Sequence, residues 1–271
     1  MSTMASSQHH GASLRPLDGK VAVVTGGGRG IGRGVSLRLA RDGARVVVAT
    51  RTAETGEEVA QEIIRQGGEA LAVACDVADP EQVGEMVAQS VDWAGTVHIL
   101  VNNAQSFGGR RRSNPRHTIE DYPEEEWLDI LRSGLFGTWY CCRAVFPYMK
   151  AQKYGKIINF GSNNGLYGQP LKVGYNTTKE AIRGFTKTVA REWGPHGIRA
   201  NVVCPALESD AMLDARSRPG SMTADPSVVP LGYFGDPERD GGGLIAFLAS
   251  EDGDYLSGNT ICLEGGWHFM P

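Results

Sequence analysis

Three residues near the middle of the chain have types and a spacing that suit proton transfer. In the stretch SNNGLYGQPLKVGYNTTKEA, Ser162 comes first, Tyr175 follows, and Lys179 lies four residues after the tyrosine. Residues four apart share one face of a helix. A phenol with a pKa of about 10 is a poor acid–base catalyst at neutral pH, but a neighbouring ammonium lowers that pKa. The same pattern also occurs on ordinary helices, so its meaning depends on the rest of the chain.

A glycine-rich stretch near the start of the chain has the properties of a phosphate-binding loop. TGGGRGIG, residues 25–32, follows an apolar run and precedes a predicted helix. Glycines let the backbone approach a pyrophosphate, whose charge is favoured by N–H groups at a helix start. A plain tight turn is the alternative. We predict that these loop residues contact a dinucleotide cofactor: Gly26, Gly28, Arg29, Gly30, Ile31 and Gly32.

The end of the second predicted strand indicates which dinucleotide is bound. A ribose with a free 2′-hydroxyl is usually held by an acidic residue about 20 positions beyond the glycines. Here Thr50 stands at that position, Arg51 follows it, and the first carboxylate is Glu54. A hydroxyl and a guanidinium suit a 2′-phosphate, which Arg29 is also placed to approach. These residues favour NADP(H) over NAD(H), with solvated surface arginines as the alternative.

Short apolar runs alternate with stretches of helical periodicity along the chain. This alternation predicts an α/β fold, a doubly wound parallel sheet of about seven strands with helices on both faces. The predicted strands are Val21–Thr25, Ala44–Thr50, Ala70–Cys75, Val97–Asn103, Lys156–Gly161, Arg199–Cys204 and Thr260–Gly265. The predicted helices are Ile31–Asp42, Ala53–Gln66, Glu81–Trp93, Glu124–Lys150, Gly174–Trp193 and Glu238–Ser250.

Composition and charge exclude several classes of protein. The net charge of −4 gives no indication of nucleic acid or an anionic membrane as partner. No apolar run approaches the roughly 20 residues of a membrane span, and the first residues lack the apolar core of a signal peptide. The five cysteines have no metal-binding spacing, which favours a reducing compartment and no metal site. We expect a cytoplasmic protein with a flexible tail at 1–16 and one domain at 17–271.

These motifs together resemble the short-chain dehydrogenase/reductase family. They are TGGGRGIG, CDV at 75–77, NNA at 102–104, the spacing of the serine, tyrosine and lysine, and the closing YLSGN and EGGW. The resemblance implies one Rossmann-like domain, hydride transfer between a nicotinamide and a carbonyl or secondary alcohol, and a homotetramer or dimer. It gives Tyr175 the acid–base role, Lys179 a contact to the nicotinamide ribose, and Ser162 a hydrogen bond to the substrate oxygen.

Further cofactor contacts are expected just past the strand ends, where ligands bind in such sheets. Asp76 has a carboxylate suited to the adenine amino group, although a surface residue that begins a helix is the alternative. Asn102 is expected to tie neighbouring strands together. The remaining predicted contacts, including two that also serve catalysis, are Val77, Asn103, Ala104, Tyr175, Lys179, Pro205, Ala206 and Leu207.

Three residues depart from the family pattern. Gly134 stands where the family often has an asparagine thought to hold a water in a proton relay, Gln105 replaces a glycine, and Asp210 replaces a threonine. These departures leave open a nucleotide sensor or scaffold that has lost turnover, while the intact serine, tyrosine and lysine favour an enzyme. An NAD(H)-dependent alcohol dehydrogenase is the other alternative.

Substrate and subunit contacts are also expected from the resemblance. Residues 207–230 are predicted to form a substrate lid, and residues 106–117 a loop whose arginines either meet an anionic substrate or are solvated. Those arginines are Arg110, Arg111, Arg112 and Arg116. The two longest predicted helices would form the subunit interface. The apolar face made of Leu135, Trp139, Cys142 and Phe146 is compatible with that interface and equally with packing on the sheet. The sequence does not identify the carbonyl or alcohol substrate.

Overall fold

One parallel sheet organises the molecule. The computed structural model describes residues 15–106, 117–209, 212–213 and 225–267. Within them seven strands pair in the order β3-β2-β1-β4-β5-β6-β7, and every neighbouring pair is parallel. The prediction of about seven parallel strands is therefore confirmed. The strands are β1 (Val21–Thr25), β2 (Arg45–Thr50), β3 (Glu69–Ala74), β4 (Ile99–Asn102), β5 (Gly155–Phe160), β6 (Ile198–Pro205) and β7 (Thr260–Leu263).

The helices lie between the strands as the periodicity predicts. They are α1 (Gly30–Arg41), α2 (Ala53–Arg65), α3 (Pro80–Ala94), α4 (Glu124–Leu131), α5 (Gly137–Ala151), α6 (Asn163–Tyr167), α7 (Val173–Trp193) and α8 (Gly243–Ala249). Two predicted helices differ in detail from the observed ones. The stretch predicted as one helix over 124–150 contains a π-helical turn at Arg132–Phe136, and another at Pro237–Gly242 precedes α8. The short α6 was not predicted.

Two apolar layers cover the faces of the sheet, because successive strand residues point to opposite sides. Val23 and Leu100 face the layer that contains α3, α5 and α7. Val24 and Ile99 face the layer that contains α1, α2 and α8. Both sides of the central strands are thus fully buried, which explains why their sequences are apolar throughout.

A chain of buried amides joins the sheet to α7. The Asn102 side chain donates to Asn159 Oδ1 on the next strand (2.8 Å), and Asn159 Nδ2 donates to Thr186 Oγ1 on α7 (2.9 Å). All three side chains are buried. The expectation that Asn102 ties strands together agrees with this geometry, and the chain also fixes how α7 lies on the sheet.

The described residues include no helix that is both long and apolar enough to cross a membrane. In the same part of the chain, no group of three or more His, Cys, Asp or Glu residues is arranged to hold a metal ion.

Candidate active site

The glycine loop forms a close-packed cradle between β1 and α1. Gly26 has φ +65°, in the left-handed region that favours glycine. A Cβ on Gly32 would overlap the carbonyl oxygen of Gly26 and lie 2.6 Å from Asn103 Nδ2. Asn103 in turn donates to the carbonyls of Thr25 (3.0 Å) and Gly26 (3.2 Å). The backbone is therefore open to close approach, and Asn103 holds the loop in shape.

The start of α1 is suited to an anion. Gly30 and Ile31 begin the helix, Arg29 precedes it in extended backbone, and the Arg29 side chain makes no capping hydrogen bond. The first turn contains no acidic residue. Backbone N–H groups and the helix dipole at such an end favour a phosphate. Together with the cradle, this end of α1 fits the pyrophosphate of a dinucleotide.

The end of β2 lies beside this cradle. A Cβ on Gly28 would lie 2.7 Å from Thr55 Oγ1 in the first turn of α2, so the loop touches the segment that follows Thr50. Arg29 and Arg51 are both exposed. Within the described part of the chain, neither arginine takes part in an ion pair, unlike Arg33, which binds Glu62 at 2.6 Å. Their charges are thus available to a ligand.

The serine, tyrosine and lysine meet at the carboxyl end of β5. Ser162 caps the start of α6, and its hydroxyl is hydrogen-bonded to the Tyr175 phenol. Lys179 Nζ donates to the carbonyl of Phe160 (2.9 Å) and lies 5.5 Å from the centroid of the Tyr175 ring. Lys179 is buried, whereas Tyr175 is partly exposed. The three side chains therefore form one site, as their spacing predicts.

Burial dominates the protonation of this pair. It raises the pKa of Tyr175 to about 12, against the opposing effect of the Ser162 hydrogen bond. It also lowers the pKa of Lys179 to about 8. The net shift of the phenol pKa is thus upward, because loss of hydration is the largest effect on it, and the lowering effect expected of Lys179 stays a prediction. At neutral pH the phenol carries its proton.

Other predicted cofactor residues have clear structural contacts. The Asp76 carboxylate accepts from the N–H of Ala78 (3.0 Å) in the turn before α3. Val77 is buried, and a Cβ on Gly137 would lie 2.9 Å from it. The N–H of Ala104 donates to Thr25 Oγ1 (3.2 Å). These residues lie near the carboxyl edge of the sheet, and Ala104 contacts the residue that precedes the glycine loop.

The segment after β6 uses its backbone for packing. Pro205 ends the strand, the N–H of Ala206 donates to Leu263 (2.7 Å), and its carbonyl accepts from Gly235 (3.2 Å). The Leu207 side chain is buried. Both backbone groups of Ala206 are thus engaged within the protein, and the cofactor contacts of Ala206 and Leu207 stay a prediction. Asp210, the arginines of loop 106–117 and most of the predicted lid lie outside the described residues.

Gln105 and Gly134, which the sequence marks only as departures, contact each other. A Cβ on Gly134 would lie 2.5 Å from Gln105 Oε1 and 3.0 Å from its Nε2. The two positions are 29 residues apart, on the loop after β4 and in the π-helical turn. Nothing in their spacing predicts the contact, although both stand out as departures from one family pattern.

The chain belongs to the short-chain dehydrogenase family, whose model matches residues 20–219. It is 36% identical over 264 residues to a 12alpha-hydroxysteroid dehydrogenase of Clostridium sp. (strain ATCC 29733 / VPI C48-50), covering 94% of this chain and 98% of that protein. It is 36% identical over 253 residues to a 3-oxoacyl-(acyl-carrier-protein) reductase of Staphylococcus aureus (strain Mu50 / ATCC 700699), covering 92% and 98%. Membership makes the protein an oxidoreductase of this family.

A solved structure shares the fold over almost the whole chain. The 3-ketoacyl-(acyl-carrier-protein) reductase of Brucella melitensis, complexed with NADH, has a TM-score of 0.83 and 30% identity. The match covers 93% of this chain and 100% of that one. The Rossmann-like architecture inferred from the motifs is thereby confirmed.

Proposed function

We propose that the protein is an NADP(H)-dependent ketoreductase that interconverts a carbonyl compound and a secondary alcohol. The observation that carries this proposal is the meeting of Ser162, Tyr175 and Lys179 beyond β5, on the same sheet edge as the glycine cradle. When bound, the nicotinamide supplies or takes up the hydride. The three side chains then handle the proton and the substrate oxygen.

Proton transfer falls to Tyr175. Because its pKa lies near 12, the phenol holds a proton at neutral pH and can give it to a developing alkoxide. Ser162, already hydrogen-bonded to the phenol, is placed to donate to the same oxygen. Lys179, with a pKa of about 8, is mainly cationic at neutral pH and stabilises negative charge on the tyrosine. This charge state favours the reduction of ketones.

The exposed arginines support NADP(H) as the cofactor. Arg29 and Arg51 flank the region where the adenine ribose would lie, and no carboxylate occupies the position of Thr50. A guanidinium pair offers charge-assisted hydrogen bonds to a 2′-phosphate. NAD(H) is the second candidate, favoured by the relative whose structure is complexed with NADH.

A sensor or scaffold without turnover is the other candidate function. Gly134 and Gln105 favour it, since both depart from the family pattern at the site. The retained Ser162, Tyr175 and Lys179 favour the enzyme, because nucleotide sensing does not require an acid–base tyrosine.

The partner we propose is a small carbonyl or alcohol compound, without nucleic acid, membrane or metal. The named relatives include a hydroxysteroid dehydrogenase and a reductase of acyl chains on a carrier protein, so ketones of both kinds belong in a substrate panel. The cysteines of the described chain are free thiols, which supports a cytoplasmic location. We also propose a homo-oligomer, a tetramer or a dimer.

The test is turnover of NADPH and NADH with a panel of ketones. Wild-type protein should oxidise NADPH, and Tyr175→Phe should lose activity by about 10²-fold or more, because the proton donor is removed. Arg51→Ala should raise the KM for NADPH about tenfold and leave that for NADH unchanged, since a charge-assisted hydrogen bond is lost.

Two outcomes would decide between the candidates. Preference for NADH in the wild type would overturn the cofactor assignment. Tight NADPH binding, seen by fluorescence, without turnover of any ketone in the panel would favour the sensor.

A further inference from the structure

Gln105 places a partly buried carboxamide between three elements of the site. Its Nε2 donates to the carbonyls of Ser106 (2.7 Å) and Ile130 (3.2 Å), and lies 3.5 Å from Ser133 Oγ. These contacts join the loop after β4 to the last turn of α4 and to the π-helical turn. The Oε1 atom is buried, and among the described residues it has no hydrogen-bond partner. Buried acceptors without a partner are rare, and each one calls for an explanation.

The carboxamide occupies the space beside Gly134. A Cβ at this position would overlap Thr178 Cγ2 and come within 2.5 Å of Gln105 Oε1. Gly134 lies in the π-helical turn, a form often found at functional sites. Thr178 is on α7, where its hydroxyl donates to the Gly174 carbonyl (2.8 Å), and it directly precedes Lys179. Gln105, Gly134 and Thr178 are thus packed against one another, next to the catalytic lysine.

This packing makes the two unusual residues dependent on each other. The side chain of Gln105 fits only because position 134 has none, and without Gln105 the glycine would border a gap. Gaps beside a helix allow it to shift, and misplacement of a catalytic group by about 1 Å can cost about 10²-fold in rate. Thr178 transmits any such shift directly to the turn that carries Tyr175 and Lys179.

We propose that Gln105 is a positioning residue: its carboxamide, delivered from the loop after β4, fills the space over Gly134 and holds the turn of Thr178 and Lys179 in place. The carboxamide thereby replaces, from a different element, a polar side chain carried by the helix at position 134. The inference rests on the proposed ketoreductase function. On this view the two departures are a compensating pair, and they mark a retained activity.

The test is reciprocal rescue between the two positions. Gln105→Gly removes the carboxamide, Gly134→Asn introduces one from the helix into occupied space, and the double variant exchanges their places. Each single variant should lower kcat about tenfold or more, whereas the double variant, in which only the overlap with Thr178 Cγ2 remains, should be at least about threefold more active than either single variant. The KM for the cofactor should change less than kcat in all three, because the glycine loop is untouched.

Two further readouts separate positioning from a general loss of structure. Thermal unfolding of the protein without cofactor should show a Tm about 5 °C lower in Gly134→Asn. The double variant should recover part of this loss, because the overlap with Gln105 is relieved while the overlap with Thr178 Cγ2 remains. The pH at which the activity falls on the alkaline side reports Lys179, and it should move in Gln105→Gly and return in the double variant.

Gly84 provides the matched control. It lies on α3, and a Cβ there would meet nothing within 4 Å. Gly84→Asn should therefore leave kcat unchanged, and it should not rescue Gln105→Gly. The inference would be overturned if the losses of kcat in the two single variants multiplied in the double variant. An unchanged kcat in Gln105→Gly would overturn it as well. Absence of turnover in the wild type would instead overturn the proposed function, and the unfolding data would still report the packing.

Discussion

At the scale of single residues, the site is governed by burial of two ionisable groups. Tyr175 and Lys179 lie on one face of α7. Burial favours the neutral form of each group, so it raises the pKa of Tyr175 to about 12 and lowers that of Lys179 to about 8. The phenol thus stays protonated across the physiological range. The ammonium is the group whose charge changes closest to neutral pH.

The pH dependence of ketone reduction should follow Lys179. With cofactor varied and ketone saturating, kcat/KM should be level below pH 8 and fall about tenfold per pH unit above it, as the lysine loses its proton. Lys179→Met should have low activity and no such fall. A wild-type profile that stays level to pH 10 would show that the charge on Lys179 is not required.

The residue types and their spacing were enough to predict which side chains meet. A spacing of four residues on a helix brings Tyr175 and Lys179 together whatever surrounds them. Ser162 comes from the end of the strand before α6. The direction of the tyrosine pKa was not predictable, because it depends on how much water each group loses. The contact of Gln105 with Gly134 was not predictable either, because it joins a loop to a helical turn that is distant in the sequence.

At the scale of elements, α7 is held on the sheet by the amide chain described above. Asn159 lies in its middle, with Asn102 on one side and Thr186 on the other, and all three are buried. A buried polar group that loses its partner carries the full cost of its lost hydration. Loss of one member of this chain should therefore weaken the attachment of α7 to the sheet.

Asn159→Leu should lower the free energy of unfolding by about 2 kcal/mol, because the partners on both sides lose a hydrogen bond in a site closed to water. Urea unfolding followed by fluorescence measures this change. Asn259→Leu is the matched control, since its side chain is exposed and should change stability by less than about 0.5 kcal/mol. Equal effects of the two substitutions would contradict the role given to the chain.

Elements were predictable as far as periodicity reaches. Apolar runs of strand length and helical stretches between them predicted all seven strands and six helical regions. Periodicity did not separate α4 from α5, because a π-helical turn adds one residue without breaking the apolar face. It also missed α6, which has five residues and too few positions to show a period.

At the scale of the whole molecule, α5 presents an exposed aromatic patch. Phe136 and Trp139 are each 40% exposed, Tyr140 stacks beside them, and the Arg143 guanidinium lies 4.9 Å from the Trp139 ring centroid. Of the apolar face considered for the subunit interface, Cys142 is buried in the core, as the alternative of packing on the sheet predicts. Exposed aromatic residues of this kind are typical of interaction surfaces.

Trp139→Glu should shift the protein towards smaller assemblies, because a charge replaces an apolar anchor at the proposed interface. Light scattering after size-exclusion chromatography measures the molar mass. Phe247→Glu is the control, since Phe247 is 42% exposed on α8, in the layer on the other side of the sheet. A wild-type mass equal to the 29.1 kDa of one chain would contradict the oligomer.

The strand order also governs how the chain can fold. β1 lies between β2 and β4, so the first three strands leave one edge of β1 unpaired until the chain has passed through α3 and added β4. Closing such long connections makes parallel sheets slow to form, with strand edges exposed to association in the meantime. During synthesis, the amino-terminal half therefore presents an apolar edge that only the later strands can cover.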